Sequence, residues 1–198
     1  MRVLVIGSGG REHALAAALA RSARAEKVYC APGNAGTAEV GENAAITVDD
    51  HDTLVQFARD RDIGLTVVGP EAPLCAGIVD RFAAAGLRVF GPTKAAARLE
   101  GEKAYAKQLM KRASIPTAEA RIFTRFAEAR AYVAARDAGV VVKASGLAAG
   151  KGVVVCPDPA DGLLALERMM VQREFGDAGD VVVVEELFKG QELSVHAL

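Results

Sequence analysis

Short apolar runs alternate with amphipathic stretches along the first 92 residues of the chain. The runs at 3–6 and 65–68 are continuous, which is typical of strands buried on both faces of a parallel sheet. The predicted strands cover residues 3–6, 27–30, 46–48, 65–68 and 88–90. One predicted helix runs to about Arg24, a second covers about 52–61 with His51 at its start, and a third runs through Phe82. This alternation predicts an α/β fold, a doubly wound, Rossmann-like parallel sheet over residues 1–92.

The pattern changes after residue 93, where a long helical segment begins. Residues 94–113 predict a helix interrupted by Gly101, so we interpret residues 93–117 as the link to a second unit. The elements predicted for that unit, over 118–188, are a strand at 118–123, a helix at 125–136, a hairpin across 140–156, a helix at 161–172 and a strand at 181–184. These elements predict an α+β unit with two helices on one sheet.

The last ten residues, 189–198, alternate polar and apolar side chains. This alternation predicts a strand with Glu192, Ser194 and His196 on one face. The chain stops inside that predicted strand, with no turn, cap or polar tail after it. We therefore expect the chain to be the N-terminal part of a longer protein.

The predicted hairpin carries a glycine-rich turn between two β-branched runs. Gly146, Gly150 and Gly152 lie in the turn, and Lys143 and Lys151 lie at its two sides. Glycines let a backbone approach a ligand closely, and exposed N–H groups beside two ammonium groups suit a polyphosphate. The spacing is not that of a Walker A loop, so a bound nucleotide would be covered by a hairpin lid. An ordinary hairpin with solubilising lysines is the alternative.

Three further loops follow predicted strands, at 7–13, 32–37 and 69–74, and project from one edge of the first sheet. A strand, a glycine turn and a helix N-terminus form an anion site, and Glu71 lies just beyond a strand, where open sheets bind ligands. The dinucleotide fingerprint fails, because Glu12 occupies the third glycine position and the second strand ends in Ala31-Pro32 without an acidic residue. Three loops at one edge predict a small-molecule site, with plain turns and a solvated first helical turn as the alternative.

The composition and net charge of the chain indicate which partners and which cellular compartment to expect. The chain has 198 residues, 51% of them hydrophobic, and a net charge of −1, which predicts neither nucleic-acid nor membrane partners. Cys30, Cys75 and Cys156 are widely spaced without a CxxC pair, so we expect buried, reduced thiols in a cytoplasmic protein.

Several motifs together make the chain resemble the glycinamide ribonucleotide synthetases (phosphoribosylamine–glycine ligases) of the ATP-grasp superfamily. These motifs occur in the family's order and spacing across all 198 residues. They are Gly7-Ser-Gly-Gly-Arg-Glu-His-Ala14, Ala31-Pro-Gly-Asn-Ala-Gly-Thr37, Gly69-Pro-Glu-Ala-Pro-Leu74, Phe90-Gly-Pro-Thr93, Glu100-Gly-Glu-Lys103, Ile115-Pro-Thr117, Lys143-Ala-Ser-Gly-Leu-Ala-Ala-Gly-Lys-Gly152, Phe175-Gly-Asp-Ala-Gly179 and Glu185-Glu186.

The resemblance implies a pre-ATP-grasp domain followed by an ATP-grasp lid, at 118–188, and the beginning of a second ATP-grasp lobe, at 189–198. It also implies ligation of glycine to 5-phosphoribosylamine in purine biosynthesis. ATP phosphorylates the glycine carboxylate, and the amine nitrogen then displaces phosphate. This chemistry needs positioning and charge neutralisation and no protein nucleophile.

The resemblance also implies site residues. Lys103 and Lys143 resemble lysines that reach the ATP phosphates, Glu192 resembles a ribose-binding carboxylate, and Glu185, Glu186 and Phe188 fall at an adenine-binding hinge. The full set implied for ATP is Lys103, Lys143, Ser145, Gly146, Gly150, Lys151, Gly152, Glu185, Glu186, Phe188 and Glu192. The set implied for the phosphoribosyl substrate is Gly9, Gly10, Arg11, Glu12, His13, Gly33, Asn34, Gly36, Thr37, Pro70 and Glu71. Lys107, one helical turn from Lys103, is interpreted as part of a solvated basic face.

Family members are about twice as long as this chain, and the additional half supplies their ligands for Mg²⁺. We therefore expect no metal site in these 198 residues and little or no catalysis by them alone. Three alternatives remain: another ATP-grasp carboxylate–amine ligase, a non-catalytic nucleotide-binding module, and a dinucleotide-dependent oxidoreductase, which Glu12 and Ala31 disfavour.

Overall fold

A computed structural model describes residues 1–148 and 150–195, and it divides the chain into two compact units, Met1–Arg98 and Leu99–Leu198. The boundary lies later than the predicted one at residue 92. The reason is that Ala97 is buried and its carbonyl accepts a bond from the Sγ of Cys75, at 3.5 Å, so the residues just after 92 belong to the first unit. The predicted link at 93–117 is therefore divided between the units.

The first unit alternates strands and helices, as predicted. Its strands are β1 (Arg2–Gly7), β2 (Lys27–Pro32), β3 (Glu42–Asn43), β4 (Ile63–Val68) and β5 (Val89–Phe90). Its helices are α1 (Gly10–Ala20), α2 (Ala35–Val40), α3 (His51–Asp60), α4 (Glu71–Ala76), α5 (Ile78–Ala84) and the start of α6 (Lys94–Gly101). α1 ends before the predicted Arg24, and the helix predicted through Phe82 is divided at Gly77, whose φ of +96° ends α4 in the left-handed region.

All neighbouring strands of this sheet are parallel, in the order β3-β2-β1-β4-β5. Side chains of β1 point alternately to the two faces, so Val5 packs on the side of α1 while Leu4 and Ile6 pack on the side of α3 and α5. Both faces are buried, which explains the continuous apolar run of β1. The predicted doubly wound sheet is confirmed.

The strand predicted at 46–48 is wrong. The edge strand is Glu42–Asn43, which pairs with Tyr29 and Cys30 of β2. Ile46 and Val48 pack against the core without joining the sheet, so their apolar character reports burial and not backbone pairing. His51 begins α3, as predicted.

The second unit contains one antiparallel sheet, in the order β6-β9-β7-β8. Its strands are β6 (Ala120–Phe123), β7 (Val140–Ala144), β8 (Val153–Cys156) and β9 (Val182–Glu186). Its helices are the end of α6, α7 (Lys103–Arg112), α8 (Phe126–Ala134) and α9 (Pro159–Leu166), which continues as a π-helical turn at Glu167–Val171, and a 3₁₀ turn follows at Gly176–Gly179. The predicted hairpin and the predicted pair of helices are confirmed.

One face of this sheet is apolar and the other carries charged side chains. Val140, Val142 and Val184 point to one face and form a core with α8 and α9. Lys143 and Glu185 occupy the alternate positions of β7 and β9 and therefore lie on the opposite face. The period of two places the hydrophobic core and the polar site on opposite sides of one sheet.

The strand predicted at 189–198 is wrong for the residues that the structure describes. Residues 191–195 are exposed and lie outside any strand, and His196 falls outside the described residues. No helix among the described residues is long and apolar enough to cross a membrane.

Candidate functional site: two glycine-rich centres

The predicted loops of the first unit lie at one edge of its sheet. β1, β2 and β4 are parallel and end at Gly7, Pro32 and Val68, so the loops that follow them start at the same edge. β1 and β4 are neighbours whose connections leave in opposite directions, which makes the gap between them the switch point where open sheets bind ligands. The predicted convergence of the three loops is confirmed by this topology.

Glu12 lies beneath these loops and not on them. Its side chain is buried, and its carboxylate accepts a 2.7 Å hydrogen bond from the N–H of Gly9. A Cβ added at Gly7, Gly9 or Gly69 would come within 3 Å of this side chain. Glycine at these three positions therefore makes room for the carboxylate, and the position of Glu12 favours support of the loops over direct contact with a ligand.

Other predicted residues connect the loops to one another. Arg11 is an exposed residue, and its Nη1 donates to the carbonyl of Gly69, at 2.9 Å. Asn34 donates from Nδ2 to the carbonyl of Ser8, at 2.8 Å, and its side chain also caps α2 by accepting from the N–H of Thr37. These bonds hold the loops after β1, β2 and β4 in one arrangement.

The remaining predicted residues of this edge differ in exposure. Thr37 is buried and bonded to Asn34 and Asn43, whereas Gly9, Gly10, Gly36, Pro70 and Glu71 are exposed or partly exposed. The ring of His13 lies so close to Gly36 that an added Cβ would come within 2.5 Å of it. Gly33 has a φ of +72°, which favours glycine.

The glycine turn of the second unit is anchored to the start of α7. The N–H of Lys103 donates to the carbonyl of Ser145, at 2.8 Å, and the N–H of Ala104 donates to the Ser145 Oγ, at 3.0 Å. Lys103 Nζ donates to the carbonyl of Gly146, at 3.2 Å. A Cβ at Gly146 would lie 2.8 Å from the Cα of Ala178, so this glycine permits a close backbone approach. These contacts bring Lys103, Ser145 and Gly146 together.

Two lysines share one carboxylate on the polar face of the sheet. Lys143 Nζ lies 2.8 Å from Glu185 Oε2, and Lys107 Nζ lies 3.3 Å from Glu185 Oε1. The side chain of Glu185 is 7% exposed, so this is a buried ion-pair network. Glu186 points elsewhere and accepts a bond from the N–H of Glu119, at 2.7 Å, across the edge of β6.

Ammonium groups are concentrated around Glu185 and the glycine turn. Lys107 and Lys143 share the carboxylate of Glu185, and Lys103, whose Nζ donates to the carbonyl of Gly146, is close enough to Lys143 for their charges to interact. Burial lowers the pKa of Lys103, and the positive charge of Lys143 lowers it further, against the opposite effect of Glu100. An anion bound here relieves the repulsion among the lysines, so the arrangement suits phosphate groups.

The other residues predicted for ATP lie farther along the loops. Gly150 has a φ of +78° and Lys151 is exposed, while Gly152 is buried against Ala148. Phe188 and Glu192 lie in the exposed stretch 188–195, without helix or strand.

Lys107 was missed by the sequence analysis. Its side chain is 11% exposed and its ammonium group forms an ion pair with Glu185, so it does not belong to a solvated face. Its spacing of four residues from Lys103 on one helix was the available signal, because residues at i and i+4 share a helix face. Cys75 is partly exposed, which corrects the expectation that all three thiols are buried.

No group of three or more His, Cys, Asp or Glu side chains among the described residues is arranged to hold a metal ion. The donors around the glycine turn are ammonium and backbone groups, which suit anions and not cations. We assign no metal site to these residues.

Comparison with known proteins agrees with this geometry. Residues 1–100 match the family model described as the N domain of phosphoribosylglycinamide synthetase, and residues 101–198 match that of its ATP-grasp (A) domain. The chain is 56% identical over 197 residues to a phosphoribosylamine–glycine ligase of Halalkalibacterium halodurans and 55% identical over 196 residues to that of Pasteurella multocida. The two alignments cover 100% and 98% of this chain and 46% of each relative.

A solved structure is similar as well. The crystal structure of phosphoribosylamine–glycine ligase from Thermotoga maritima has a TM-score of 0.77 and 32% identity, covering 96% of this chain and 45% of that chain. The chain thus spans about half the length of the relatives it matches. With both family models matched end to end, the chain belongs to the phosphoribosylglycinamide synthetase family and carries its N domain and its ATP-grasp domain.

Proposed function

We propose that this chain supplies the N domain and the ATP-binding part of a carbon–nitrogen ligase that joins glycine to 5-phosphoribosylamine, using ATP, in the cytoplasm. The names of its relatives support the reaction, and their similarity extends across both units. The single observation that carries the ATP site is the lysine cluster beside the anchored glycine turn. Lys103 and Lys143 hold the phosphates, and the turn from Gly146 to Gly152 covers them.

The polar face of the second sheet is suited to the charge that develops during phosphoryl transfer. Ammonium groups beside the phosphates stabilise the negative charge, as this chemistry requires. When bound, Mg²⁺ would neutralise part of the phosphate charge, and we expect its protein ligands outside the described residues. Glu186, Phe188 and Glu192 are proposed to contact the adenosine part of the nucleotide.

The phosphoribosyl substrate is proposed to bind at the switch-point edge of the first sheet. The backbone at Gly10 and Gly36, with Arg11, His13, Asn34 and the loop from Pro70 to Glu71, provides donors and one cationic group, and Gly9, whose N–H is bonded to Glu12, lines the same edge. An acidic sugar phosphate fits this set better than an apolar ligand does. Glu12, Gly33 and Thr37 are proposed to position these loops.

The test of the ATP site is calorimetric titration of MgATP into the 198-residue chain and two variants. Lys143→Met removes an ammonium group from the cluster, and Lys111→Met removes an exposed one from the same helix as Lys103. We expect Lys143→Met to weaken binding about tenfold or more, since a hydrogen bond to a charged group contributes about 1.5–3 kcal/mol. Lys111→Met should bind like the unsubstituted chain.

Equal affinities of the unsubstituted chain and Lys143→Met would refute the proposed phosphate site. The reaction itself is tested in a polypeptide of the relatives' full length, by measuring ADP released from MgATP with glycine and phosphoribosylamine. If ADP is released without glycine, or equally fast when another carboxylate replaces glycine, the result would favour a different ATP-grasp ligase.

A further inference from the structure

Lys107 is held in place by three acceptors. Its Nζ donates to Thr117 Oγ1 at 2.7 Å and to the carbonyl of Ala118 at 3.1 Å, and it lies 3.3 Å from Glu185 Oε1. Two of its three N–H donors are therefore used in hydrogen bonds, and the ammonium group also forms an ion pair with Glu185. The side chain is only 11% exposed, so Lys107 is less accessible to a ligand than Lys143 is.

Among the described residues, the ammonium group of Lys143 has fewer acceptors than that of Lys107. Its Nζ bonds to Glu185 Oε2, its side chain is 25% exposed, and its charge acts on that of Lys103. It therefore keeps donors available for an anion. Glu185 joins the two lysines, with one oxygen on each, so any movement of Lys143 changes the partners of a buried carboxylate.

We propose that Lys107 is a positioning residue that keeps Glu185 charge-compensated while the ammonium of Lys143 moves from Glu185 to the phosphates of the bound nucleotide. This inference rests on the proposed function, because it assumes that the anion at the cluster is ATP.

The physical reason is the burial of Glu185. A buried carboxylate without a cation is strongly unfavourable, and it also repels phosphate groups. If Lys107 were absent, Glu185 would retain Lys143 as its partner and oppose the nucleotide. With Lys107 present, Lys143 can leave without exposing an uncompensated charge.

This role differs from direct contact between Lys107 and the nucleotide. If Lys107 contacts a phosphate, its removal weakens binding whatever residue occupies position 185. If it compensates Glu185, its removal matters only while position 185 carries a charge. A double-mutant cycle separates the two cases.

The experiment measures the Kd for MgATP by calorimetry for the unsubstituted chain, Lys107→Met, Glu185→Gln and the double variant, with Lys111→Met as the exposed control. Methionine keeps the length of the side chain without its charge. We expect Lys107→Met to weaken binding about tenfold or more in the unsubstituted background and less than about threefold in the Glu185→Gln background, because like charges brought together in a buried site are strongly unfavourable. Lys107→Arg should restore binding to within about threefold, since it keeps the charge.

Thermal unfolding followed by circular dichroism shows whether each variant is folded. If Lys107→Met alone fails to fold, the comparison of the double variant with Glu185→Gln still decides, because neither contains an uncompensated Glu185. Equal losses in the two backgrounds would overturn the compensating role and make Lys107 a direct ligand. Absence of MgATP binding by the unsubstituted chain would instead overturn the proposed function.

Discussion

Glu12 offers a sharp test of how the first unit holds its three loops. Its buried carboxylate accepts one hydrogen bond, from the N–H of Gly9 at 2.7 Å. A hydrogen bond to a charged group contributes about 1.5–3 kcal/mol, and a neutral one about 0.5–1.5 kcal/mol. Glu12→Gln keeps the shape and one acceptor, so it should lower the free energy of unfolding by about 1–2 kcal/mol.

Glu12→Ala should cost more. It leaves the N–H of Gly9 without its acceptor and removes a buried methylene group, which is worth about 0.8 kcal/mol. Together with the lost charge-assisted bond, the expected decrease in the free energy of unfolding is about 2–4 kcal/mol. Glu39→Gln, at an exposed position of α2, serves as the matched control and should change stability by less than about 0.5 kcal/mol.

Urea unfolding followed by circular dichroism measures these differences, and amide hydrogen exchange locates them. Exchange of the Gly9 amide should become faster in both Glu12 variants, while amides in the core of the second unit keep their protection. If Glu12→Ala were as stable as Glu39→Gln, or if the Gly9 amide kept its protection, the carboxylate would not hold the loops and our argument would fail.

Two further predictions concern ionisable groups. Burial raises the pKa of the thiols of Cys30 and Cys156, so iodoacetamide at pH 8 should modify the more exposed Cys75 first, and mass spectrometry of the digested chain should show this order; equal rates for the three thiols would contradict the fold. Burial, with Lys143 adding to it and Glu100 opposing it, lowers the pKa of Lys103, so in alkaline solution a larger fraction of its side chain is neutral than in a free lysine. Bound phosphate raises the pKa again, so MgATP binding at alkaline pH should take up protons, seen as a binding enthalpy that depends on the ionisation enthalpy of the buffer. Release of protons would contradict the placement of Lys103 beside the phosphates.

Local patterns in the sequence were sufficient for most of the fold. The continuous apolar run of β1 and the β-branched runs of β7 and β8 identify strands, because a strand buried on both faces is apolar at successive positions and β-branched residues favour strands. The glycine-rich turn and the loops after β1, β2 and β4 could also be placed, since the carboxyl ends of parallel strands share an edge.

The hydrophobic pattern predicted strands wrongly at two segments that do not pair with a neighbouring strand. Ile46 and Val48 are packed against the core and therefore read as a strand, yet β3 forms at Glu42–Asn43. The alternation at 189–198 likewise predicted a strand, but residues 191–195 lie outside any strand. A strand needs hydrogen bonds from a partner strand, and no local pattern specifies that partner.

The sequence by itself therefore determined the family and the α/β architecture, and it pointed to the lysines and glycines that we propose for the ATP site. The tertiary structure decided which charges meet: Lys107 and Lys143 come from α7 and β7, and both reach the carboxylate of Glu185 on β9. It also decided that Glu12 lies under its loops and not at their surface. Such pairings join residues far apart in the chain. They arise from the pairing of β7 with β9 and from the packing of α7 against β9, and residue spacing alone does not contain these distances.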